Sequence, residues 1–333
     1  MDNFIFTCGD INGIGPEISI KSINKLYSEE KYKITLVIPQ NVFEYYKEQI
    51  AIEFPFEIKK SLDNSDINNG KVSILDIGFS ELKIGKITEN SGLSSYNAIL
   101  KGYDLLKNQL GSAIITSPIS KEAWQKAGIE FTGHTELFAN LTHSKNYAMM
   151  FLSRKLKAIL TTIHIPISEI SSNLSIQKIV NTVLQAQMTL EFDIKIKEPR
   201  IAVLGLNPHA GENGQLGNEE IDIIIPAIEE LKNNGINVEG PFVPDAFWGT
   251  KTYNKFDITV GMYHDQVLIP FKLLSFDEGV NYTSGLPIIR TSPDHGTAFD
   301  IARKLVANPN SMIESFNWAR EIVKNRNCSI AKM

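Results

Sequence analysis

The chain has 333 residues, of which 43% are hydrophobic and 21% charged, so its length and composition predict a globular protein of two domains with a large buried core. Its formal net charge of -5 gives no excess of positive charge to neutralise a phosphate backbone, and nucleic acid is therefore not expected as a partner. The sequence contains neither a signal peptide pattern nor a run of about 20 apolar residues, so neither export nor membrane insertion is expected.

Cys8 and Cys328 are the only cysteines. Two cysteines at opposite ends of a chain are too few for a disulfide framework or a thiolate metal site. We expect both to be free thiols in a reducing cytoplasm. A bound metal ion would therefore need His, Asp or Glu ligands.

Short apolar runs alternate with amphipathic stretches along the chain, a pattern typical of an α/β protein with strands joined by helical crossovers. The predicted strands are residues 4–8, 34–38, 72–77, 112–116, 148–152, 158–163, 200–206 and 258–262. The predicted helices are residues 16–27, 93–109, 121–127, 135–141, 176–192, 219–233 and 297–305. The polar segment 61–70 is predicted to be an exposed loop.

The glycine-rich stretch GDINGIGPE lies between the first predicted strand and the first predicted helix. Its spacing is not the GxGxxG of a dinucleotide-binding turn, so we interpret it as a tight turn that shapes a cleft. Pro16 fits the first position of the helix, and Gly15 allows the chain to turn before it. The absence of GxxxxGK[ST] and GxSxG argues against nucleoside triphosphate and serine hydrolase chemistry.

Three of the six histidines, His164, His209 and His264, each follow a predicted strand. Ligands of open α/β sheets bind beyond the carboxyl ends of the strands, so these side chains can converge although they are distant in sequence. Three imidazoles with an open position suit Zn²⁺ or a similar ion that polarises a substrate oxygen. A single histidine of this kind is more often a buried structural residue, but three at equivalent positions favour the metal site.

The stretch FTGHTELF places Gly133, His134 and Thr135 before a predicted helix, whose N-terminal amides favour an anion. Simple capping of that helix by Thr135 explains the same residues. Both interpretations stay open at the level of sequence.

Isolated polar residues also occur within the apolar segment IPFKLLSFDEGVNYTSGLPIIR, namely Lys272, Asn281 and Arg290. Arginine can bind phosphate or carboxylate through two hydrogen bonds, and lysine supplies a point charge. The alternative, a solvated surface cation, is as good an explanation for Lys272. It fits Arg290 less well, since Arg290 follows the apolar run LPII.

Six long blocks of the chain resemble the 4-hydroxythreonine-4-phosphate dehydrogenase family. In chain order they are GDINGIGPEI, TSPISKEAWQKAGIEFTGHTELFA, LNPHAGENGQLGNEE, GPFVPDAFWG, MYHDQVLIPFK and GVNYTSGLPIIRTSPDHGTAFDIA. They extend from residue 9 to about residue 302. The sequence departs from the family's pattern at Asn12, where a smaller residue is usual, and the segment 60–70 does not align.

The resemblance implies a role for eight residues, and all eight positions hold the residue type that the family has there. One divalent cation, Zn²⁺, Mg²⁺, Mn²⁺ or Co²⁺, would be bound by His164, His209 and His264. The substrate would be contacted by His134, Thr135, Lys272, Asn281 and Arg290.

The family is related to the isocitrate and isopropylmalate dehydrogenases, and DHGTAFDIARKLVANP is similar to the loop that holds the adenosine part of NAD in those enzymes. The resemblance places near NAD or NADP the residues His295, Gly296, Thr297, Ala298 and Asp300. It implies an isocitrate/isopropylmalate dehydrogenase-like α/β fold with two α/β/α domains around a central cleft. Residues 1–120 with 270–333 would form the domain of the NAD loop, and residues 121–269 the domain of the metal ligands and of the homodimer contacts, with the metal site shared between subunits.

The implied reaction is NAD-dependent oxidation of 4-phosphohydroxy-L-threonine to 2-amino-3-oxo-4-phosphonooxybutanoate, which loses CO₂ to give 3-amino-2-oxopropyl phosphate for pyridoxal 5'-phosphate synthesis. Asp245 and Asp265 are candidate general bases, and each could instead support a histidine. One alternative is a dehydrogenase of 4-phospho-threonate or 4-phospho-erythronate. Another is a non-catalytic protein that binds a metal or a phosphorylated metabolite.

Overall fold

The computed structural model describes residues 1–27, 32–63, 65–66 and 70–330. The chain divides into two compact units. Unit 1 comprises Met1–His143 and Pro287–Val323, and unit 2 comprises Ser144–Leu286 and the chain from Lys324 onward. The sequence placed these divisions at residues 120 and 269, because no linker composition marks where the chain passes from one unit to the other.

The described residues form twelve strands. In chain order they are β1 (Asn3–Thr7), β2 (Lys33–Val37), β3 (Phe56–Lys59), β4 (Val72–Leu75), β5 (Ala113–Thr116), β6 (Ala148–Leu152), β7 (Lys157–Leu160), β8 (Ile201–Leu204), β9 (Val238–Phe242), β10 (Ile258–Gly261), β11 (Val280–Ser284) and β12 (Arg290–Pro293).

The same residues form ten α-helices. They are α1 (Gly15–Leu26), α2 (Gln40–Gln49), α3 (Glu89–Lys107), α4 (Lys121–Lys126), α5 (His134–Leu141), α6 (Ile176–Met188), α7 (Ile225–Asn233), α8 (Pro244–Gly249), α9 (His264–Ser275) and α10 (Asn310–Ile330). None of these helices combines the length and the apolar character needed to cross a lipid bilayer.

The strands of unit 1 run in the order β3-β4-β2-β1-β5-β12, and every pairing among them is parallel. Every residue of β1, β2, β4 and β5 is buried, as expected for strands covered on both faces, and this explains their continuous apolar runs. Because the strands are parallel, their carboxyl ends meet at one edge of the sheet. The loop after β1 and the residues after β5 therefore lie at the same edge.

The strands of unit 2 run in the order β11-β6-β7-β10-β8-β9. Strand β6 is antiparallel to both of its neighbours, whereas β7, β10, β8 and β9 pair in parallel. Helix α9 packs its apolar side on this sheet through Val267, Leu268 and Phe271. The carboxyl ends of β7, β10 and β8 lie side by side, which is where the three candidate histidines follow.

The predicted α/β class is confirmed, and all eight predicted strands are present with ends within three residues of the prediction. Six of the seven predicted helices are present, although the end of one and the start of another are wider π-helical turns, Thr189–Asp193 and Glu220–Ile224. The predicted helix 297–305 is wrong, because this segment forms turns with Ala298 at φ 43° and Leu305 at φ 54°. The predicted loop 61–70 lies partly outside the described residues.

The glycine-rich segment after β1 is a tight strand-to-helix turn, as predicted, but Gly15 serves a different purpose there. Gly15 is the first residue of α1 and has ordinary helical geometry. A Cβ atom on it would lie 2.2 Å from the Cys8 carbonyl oxygen. Glycine is therefore needed for the close approach of two backbone segments, and the sharp turn itself occurs at Gly9, whose φ is +64°.

Candidate active site

Two of the candidate metal ligands lie together at the carboxyl edge of the unit 2 sheet. His164 follows β7, His264 is the first residue of α9 after β10, and their ring centroids are 6.0 Å apart. The Nδ1 atom of His264 is 2.7 Å from a carboxylate oxygen of Asp265. A carboxylate only accepts hydrogen bonds, so Nδ1 donates and the lone pair of Nε2 is available to a ligand.

The third candidate, His209, lies after β8 on a turn that spans Pro208–Gly214. This turn, here called the His209 turn, has an unusual backbone: the residues at positions 209 to 213 all have positive φ. Within the described residues, no three His, Cys, Asp or Glu side chains of this single chain are grouped around one point. In the described part of the chain, the rings of His164 and His264 therefore lie near each other without a third such side chain beside them.

Arg290 lies on β12 and is only 2% exposed. It is the centre of a group of polar and cationic side chains in unit 1, here called the cationic pocket. Its Nε and Nη2 atoms donate to the hydroxyl oxygen of Thr116 at 3.0 and 2.9 Å. Burial lowers the pKa of the guanidinium to about 9, an effect opposed by the nearby carboxylate of Glu136. The Arg290 guanidinium therefore stays positively charged at neutral pH, although it is buried.

His134 lies in the same pocket, at the start of α5. Its Nε2 atom is inaccessible to solvent and has no hydrogen-bond partner, and its ring meets the edge of the Trp124 indole at 6.0 Å between centroids. Burial holds the pKa of this imidazole well below its usual value, and the charges of Arg290 and Lys121 lower it further. An unsatisfied buried nitrogen costs about 1–3 kcal/mol, so a partner that binds this atom would stabilise the pocket.

Thr135 is buried inside α5 rather than at its N-cap, which is Gly133, and no side chain caps this helix. The alternative explanation of this motif, helix capping by Thr135, is therefore excluded. Anion binding by this motif stays a prediction.

The sequence did not single out Lys121 and Thr116 as members of the pocket. Thr116 is the last residue of β5, and Lys121 begins α4 just after it. The strand-end rule that selected the histidines would also have selected this segment, since β5 ends at the same edge as β1 and β12.

Lys272 and Asn281 belong to unit 2, Lys272 on α9 and Asn281 on β11. Asn281 is partly exposed between Val280 and Tyr282, which are both buried. Of the two candidate bases, Asp265 contacts His264 and Asp245 is an exposed residue near the start of α8.

The proposed cofactor loop, residues 295–300, belongs to unit 1 and packs against the turn after β1. The backbone N–H of Ile14 donates to the carbonyl of Thr297 at 2.9 Å, and a Cβ on Gly13 would lie 2.7 Å from the same oxygen. Further along, Arg303 donates to the Ile84 carbonyl at 3.0 Å. These tertiary contacts hold the loop in turns where its own composition favours a helix.

Asn12, the residue that departs from the family's pattern, is fully buried beside this loop. Its Nδ2 donates to the Lys86 carbonyl at 3.0 Å and to the Thr88 hydroxyl at 3.1 Å. Its Oδ1 accepts from the Lys83 N–H at 2.7 Å. The asparagine therefore ties the turn after β1 to residues 83–88, and its larger side chain is used rather than merely tolerated.

Comparison with known proteins agrees with these observations. Residues 30–319 match the family described as pyridoxal phosphate biosynthetic protein PdxA. A 4-hydroxythreonine-4-phosphate dehydrogenase of Desulforapulum autotrophicum is 40% identical over 94% of this chain and 93% of its own length. A D-threonate 4-phosphate dehydrogenase of Pectobacterium atrosepticum is 39% identical over 95% of this chain and 98% of its own length.

Solved structures show the same relationship. The 4-hydroxythreonine-4-phosphate dehydrogenase of Klebsiella pneumoniae superposes with a TM-score of 0.83 at 36% identity, covering 97% of this chain and 100% of that chain. Isocitrate dehydrogenase of Methylococcus capsulatus, at 13% identity, TM-score 0.51 and coverage of 99% of this chain and 88% of that chain, shares the fold alone. On the family match and the near full-length identity, the chain belongs to the pyridoxal phosphate biosynthetic protein PdxA family.

Proposed function

We propose that the chain is a metal-dependent NAD dehydrogenase that oxidises 4-phosphohydroxy-L-threonine in pyridoxal 5'-phosphate synthesis. The observation that carries the proposal is the buried pocket of unit 1, where the unpartnered Nε2 of His134 lies in the field of Arg290 and Lys121. A phosphate oxygen would satisfy this nitrogen and neutralise the buried charge. Relatives at nearly equal identity are named for substrates that carry a 4-phosphate.

The phosphate is assigned to His134, Thr135 and Arg290, and the rest of the substrate to Lys272 and Asn281. A doubly charged phosphate raises the pKa of the adjacent His134, because it offsets the cations that lower it. The imidazole then donates to a phosphate oxygen through Nε2. An unphosphorylated analogue leaves Nε2 of His134 without a partner and binds weakly.

The proposed metal ligands are His164, His209 and His264, and their chemistry fits a divalent ion of borderline softness such as Zn²⁺ or Co²⁺. The bond from His264 Nδ1 to Asp265 leaves Nε2 as the donor atom, as a metal-binding histidine requires. When bound, such a cation supplies Lewis-acid polarisation of the substrate's secondary hydroxyl. Because Asp265 is occupied in orienting His264, Asp245 is the better candidate for accepting the hydroxyl proton.

NAD or NADP, assigned to residues 295–300, supplies the hydride acceptor. The turns that hold this loop against Ile14 fix the position of its backbone before the cofactor binds. Oxidation places a ketone β to the carboxylate, so the product loses CO₂ and takes up one proton at C2 to give 3-amino-2-oxopropyl phosphate. Pairing of the phosphate with Arg290 keeps the substrate in one orientation through these steps.

A homodimer that shares the metal site is supported by the surface of α9. This helix carries His264 and Lys272. It also exposes the large apolar residues Ile269 and Leu273, and Phe276, directly after the helix, continues the same spacing; their exposed fractions are 59%, 82% and 72%. An exposed apolar stripe of this kind favours association. Contact through α9 would place His264 next to a second copy, which supplies the third ligand in this proposal.

A second candidate is the oxidation of D-threonate 4-phosphate, which the 39% identical Pectobacterium relative favours. Both substrates carry the phosphate, the carboxylate and the secondary hydroxyl that the proposed groups recognise, and they differ at C2. The structure offers no described contact to that position. Substrate choice therefore has to be measured.

The test is NADH formation by metal-stripped protein with 4-phosphohydroxy-L-threonine, before and after addition of Zn²⁺, Mg²⁺, Mn²⁺ or Co²⁺. We expect turnover to return with metal in the wild type and not in His209→Ala. Turnover only with D-threonate 4-phosphate or an erythronate analogue would establish the second candidate. No turnover with any of them, and no NAD binding by the metal-loaded protein, would leave a non-catalytic binding protein.

The pocket is tested by Arg290→Lys, which keeps the charge and loses the planar fork of donors. We expect KM for the phosphorylated substrate to rise about 10- to 100-fold, since a bidentate charge-assisted contact is replaced by a point charge. Lys126→Arg, at the exposed end of α4, is the matched control and should leave KM unchanged. An unchanged KM in Arg290→Lys would remove Arg290 from the phosphate site.

A further inference from the structure

The backbone of the His209 turn is strained. The two residues before Gly211 and the two after it have left-handed geometry: φ is 54° at His209, 51° at Ala210, 44° at Glu212 and 55° at Asn213. Left-handed geometry costs a non-glycine residue about 1–2 kcal/mol. Such a turn persists only where surrounding contacts enforce it, and strain of this kind concentrates at functional sites.

The contact that enforces it is made by Glu220, a carboxylate that is only 1% exposed. Its Oε1 accepts from the backbone N–H groups of Leu206 and Asn207 at 2.6 and 2.8 Å. Its Oε2 accepts from the Asn207 side chain at 2.9 Å. One buried side chain thus binds the two backbone amides that immediately precede the turn.

Two glycines enclose this carboxylate. A Cβ on Gly211 would lie 2.8 Å from Oε2 of Glu220, and a Cβ on Gly205 would lie 3.1 Å from Oε1. The backbone of the turn therefore packs directly against the Glu220 side chain, which supports its strained conformation. Glu219 adds a second contact, since its carboxylate accepts from Asn207 Nδ2 at 2.7 Å and from the Ser171 hydroxyl at 2.5 Å.

The same region is joined to the segment that leads to His264. Gln266 is buried, donates to the Gly205 carbonyl at 2.6 Å and accepts from the Met262 N–H at 2.7 Å. The chain that leads into the His209 turn after β8 and the chain that leads to His264 after β10 are therefore held by one side chain. This contact fixes the start of the His209 turn relative to the start of α9.

We propose that Glu220 is a positioning residue for the metal site, which holds His209 in its strained turn at the sheet edge that also carries His164 and His264. The inference deepens the proposed function and rests on it, since it takes His209 to be a ligand. Glu220 does not touch the metal in this assignment. It acts through the backbone of residues 206 and 207.

The experiment measures Co²⁺ affinity from the absorption of the bound ion, with the full-length protein and without substrate. The variant is Glu220→Gln, which keeps the size of the side chain and loses its charge and half of its acceptors. The control is Asp222→Asn, an exposed carboxylate two residues further along. Thermal unfolding of the metal-free proteins is recorded in parallel.

We expect Glu220→Gln to weaken Co²⁺ binding at least tenfold and to change the absorption spectrum of the bound ion, the usual consequence of losing the support of a ligand. The control should bind as the wild type does. A purely structural role for Glu220 predicts a lower Tm with unchanged Co²⁺ affinity in the protein that remains folded, and that result would overturn the proposal.

If Glu220→Gln does not fold, the Co²⁺ affinity of Asn207→Ala tests the proposal instead. This variant removes the side-chain bonds to both glutamates at a partly exposed position, and it should weaken Co²⁺ binding while Tm changes little. Unchanged affinity would again overturn the inference. A wild type that binds Co²⁺ normally but does not oxidise 4-phosphohydroxy-L-threonine would contradict the proposed function alone, so the two failures are distinguishable.

Discussion

Asp10, in the turn after β1, is a fully buried carboxyl group. Its oxygens accept from the Asn12 N–H at 2.9 Å and the Ser91 hydroxyl at 3.0 Å, but burial outweighs these bonds and raises its pKa to about 6. The folded chain therefore binds this proton more tightly than the unfolded chain does. The resulting stabilisation is complete below the unfolded pKa near 4 and is lost as pH rises through about 6.

Replacement of this residue by Asp10→Asn should stabilise the protein at pH 8, because it removes a buried charge and keeps an acceptor for the Asn12 N–H. We expect a gain in unfolding free energy on the order of 2 kcal/mol at pH 8 that disappears near pH 4. Urea unfolding at both pH values measures it, with the exposed Asp104→Asn as control. A gain of the same size at both pH values would contradict the assignment of the shift to Asp10.

The sequence predicts the position of a site residue only where that residue directly follows the end of a strand. His164 and His264 follow neighbouring parallel strands, so their approach to 6.0 Å follows from the pattern. The conformation of His209 does not, because it depends on Glu220, a residue 11 positions further along whose buried bonds have no local sequence pattern. The burial of His134 Nε2 likewise depends on tertiary packing, which includes the edge contact of its ring with Trp124.

At the scale of elements, the apolar runs located the buried strands, whereas several helices and the segment after β12 required tertiary information. Helix α9 was missed because Pro270 interrupts its pattern, yet the proline is accommodated within the helix. The segment 297–305 has helix-forming composition, but the bond from Ile14 to the Thr297 carbonyl and the contact of Arg303 with Ile84 hold it in turns. Local preference was overridden there by contacts distant in sequence.

The C-terminal part of α10 is fastened to unit 2 by a buried cluster of three side chains. Arg326 donates to both carboxylate oxygens of Asp193, at 2.7 and 3.1 Å, and to the Tyr282 hydroxyl at 3.0 Å. The Tyr282 hydroxyl donates to Asp193 at 2.6 Å. Tyr282 adjoins Asn281 on β11, so this cluster also steadies the strand that carries a proposed substrate contact.

Loss of the guanidinium in Arg326→Met should destabilise the protein by about 3 kcal/mol, because the Asp193 carboxylate stays buried without its counter-charge. Urea unfolding gives the value, and Lys324→Met, an exposed cation on the same helix, should change it by less than about 0.5 kcal/mol. Adding Asp193→Asn to Arg326→Met should recover part of the loss. If the double variant is no more stable than Arg326→Met, the cost does not come from an unpaired carboxylate.

At the scale of the whole molecule, the two units carry different parts of the proposed chemistry. Unit 1 contains the cationic pocket and the loop 295–300, and unit 2 contains the three histidines together with Lys272 and Asn281. Unit 1 combines two segments that are distant in sequence, Met1–His143 and Pro287–Val323, and no shift in composition marks their boundaries. Among the described residues, no third His, Cys, Asp or Glu side chain is grouped with His164 and His264. In the proposed function, the third ligand comes from a second copy of the chain.

A site shared between two copies predicts that two inactive variants restore each other. In His209→Ala the pair His164 and His264 is intact, and in His264→Ala the residue His209 is intact. If His209 comes from the other subunit, each mixed dimer has one complete site, so random pairing of equal amounts should recover about a quarter of wild-type turnover.

The measurement is NADH formation after the two variants are unfolded and reassembled together. Either variant reassembled alone should stay inactive, and Leu273→Glu, which places a charge in the exposed stripe of α9, should abolish the recovery. An inactive mixture whose dimers have demonstrably exchanged subunits would show that all three histidines belong to one chain.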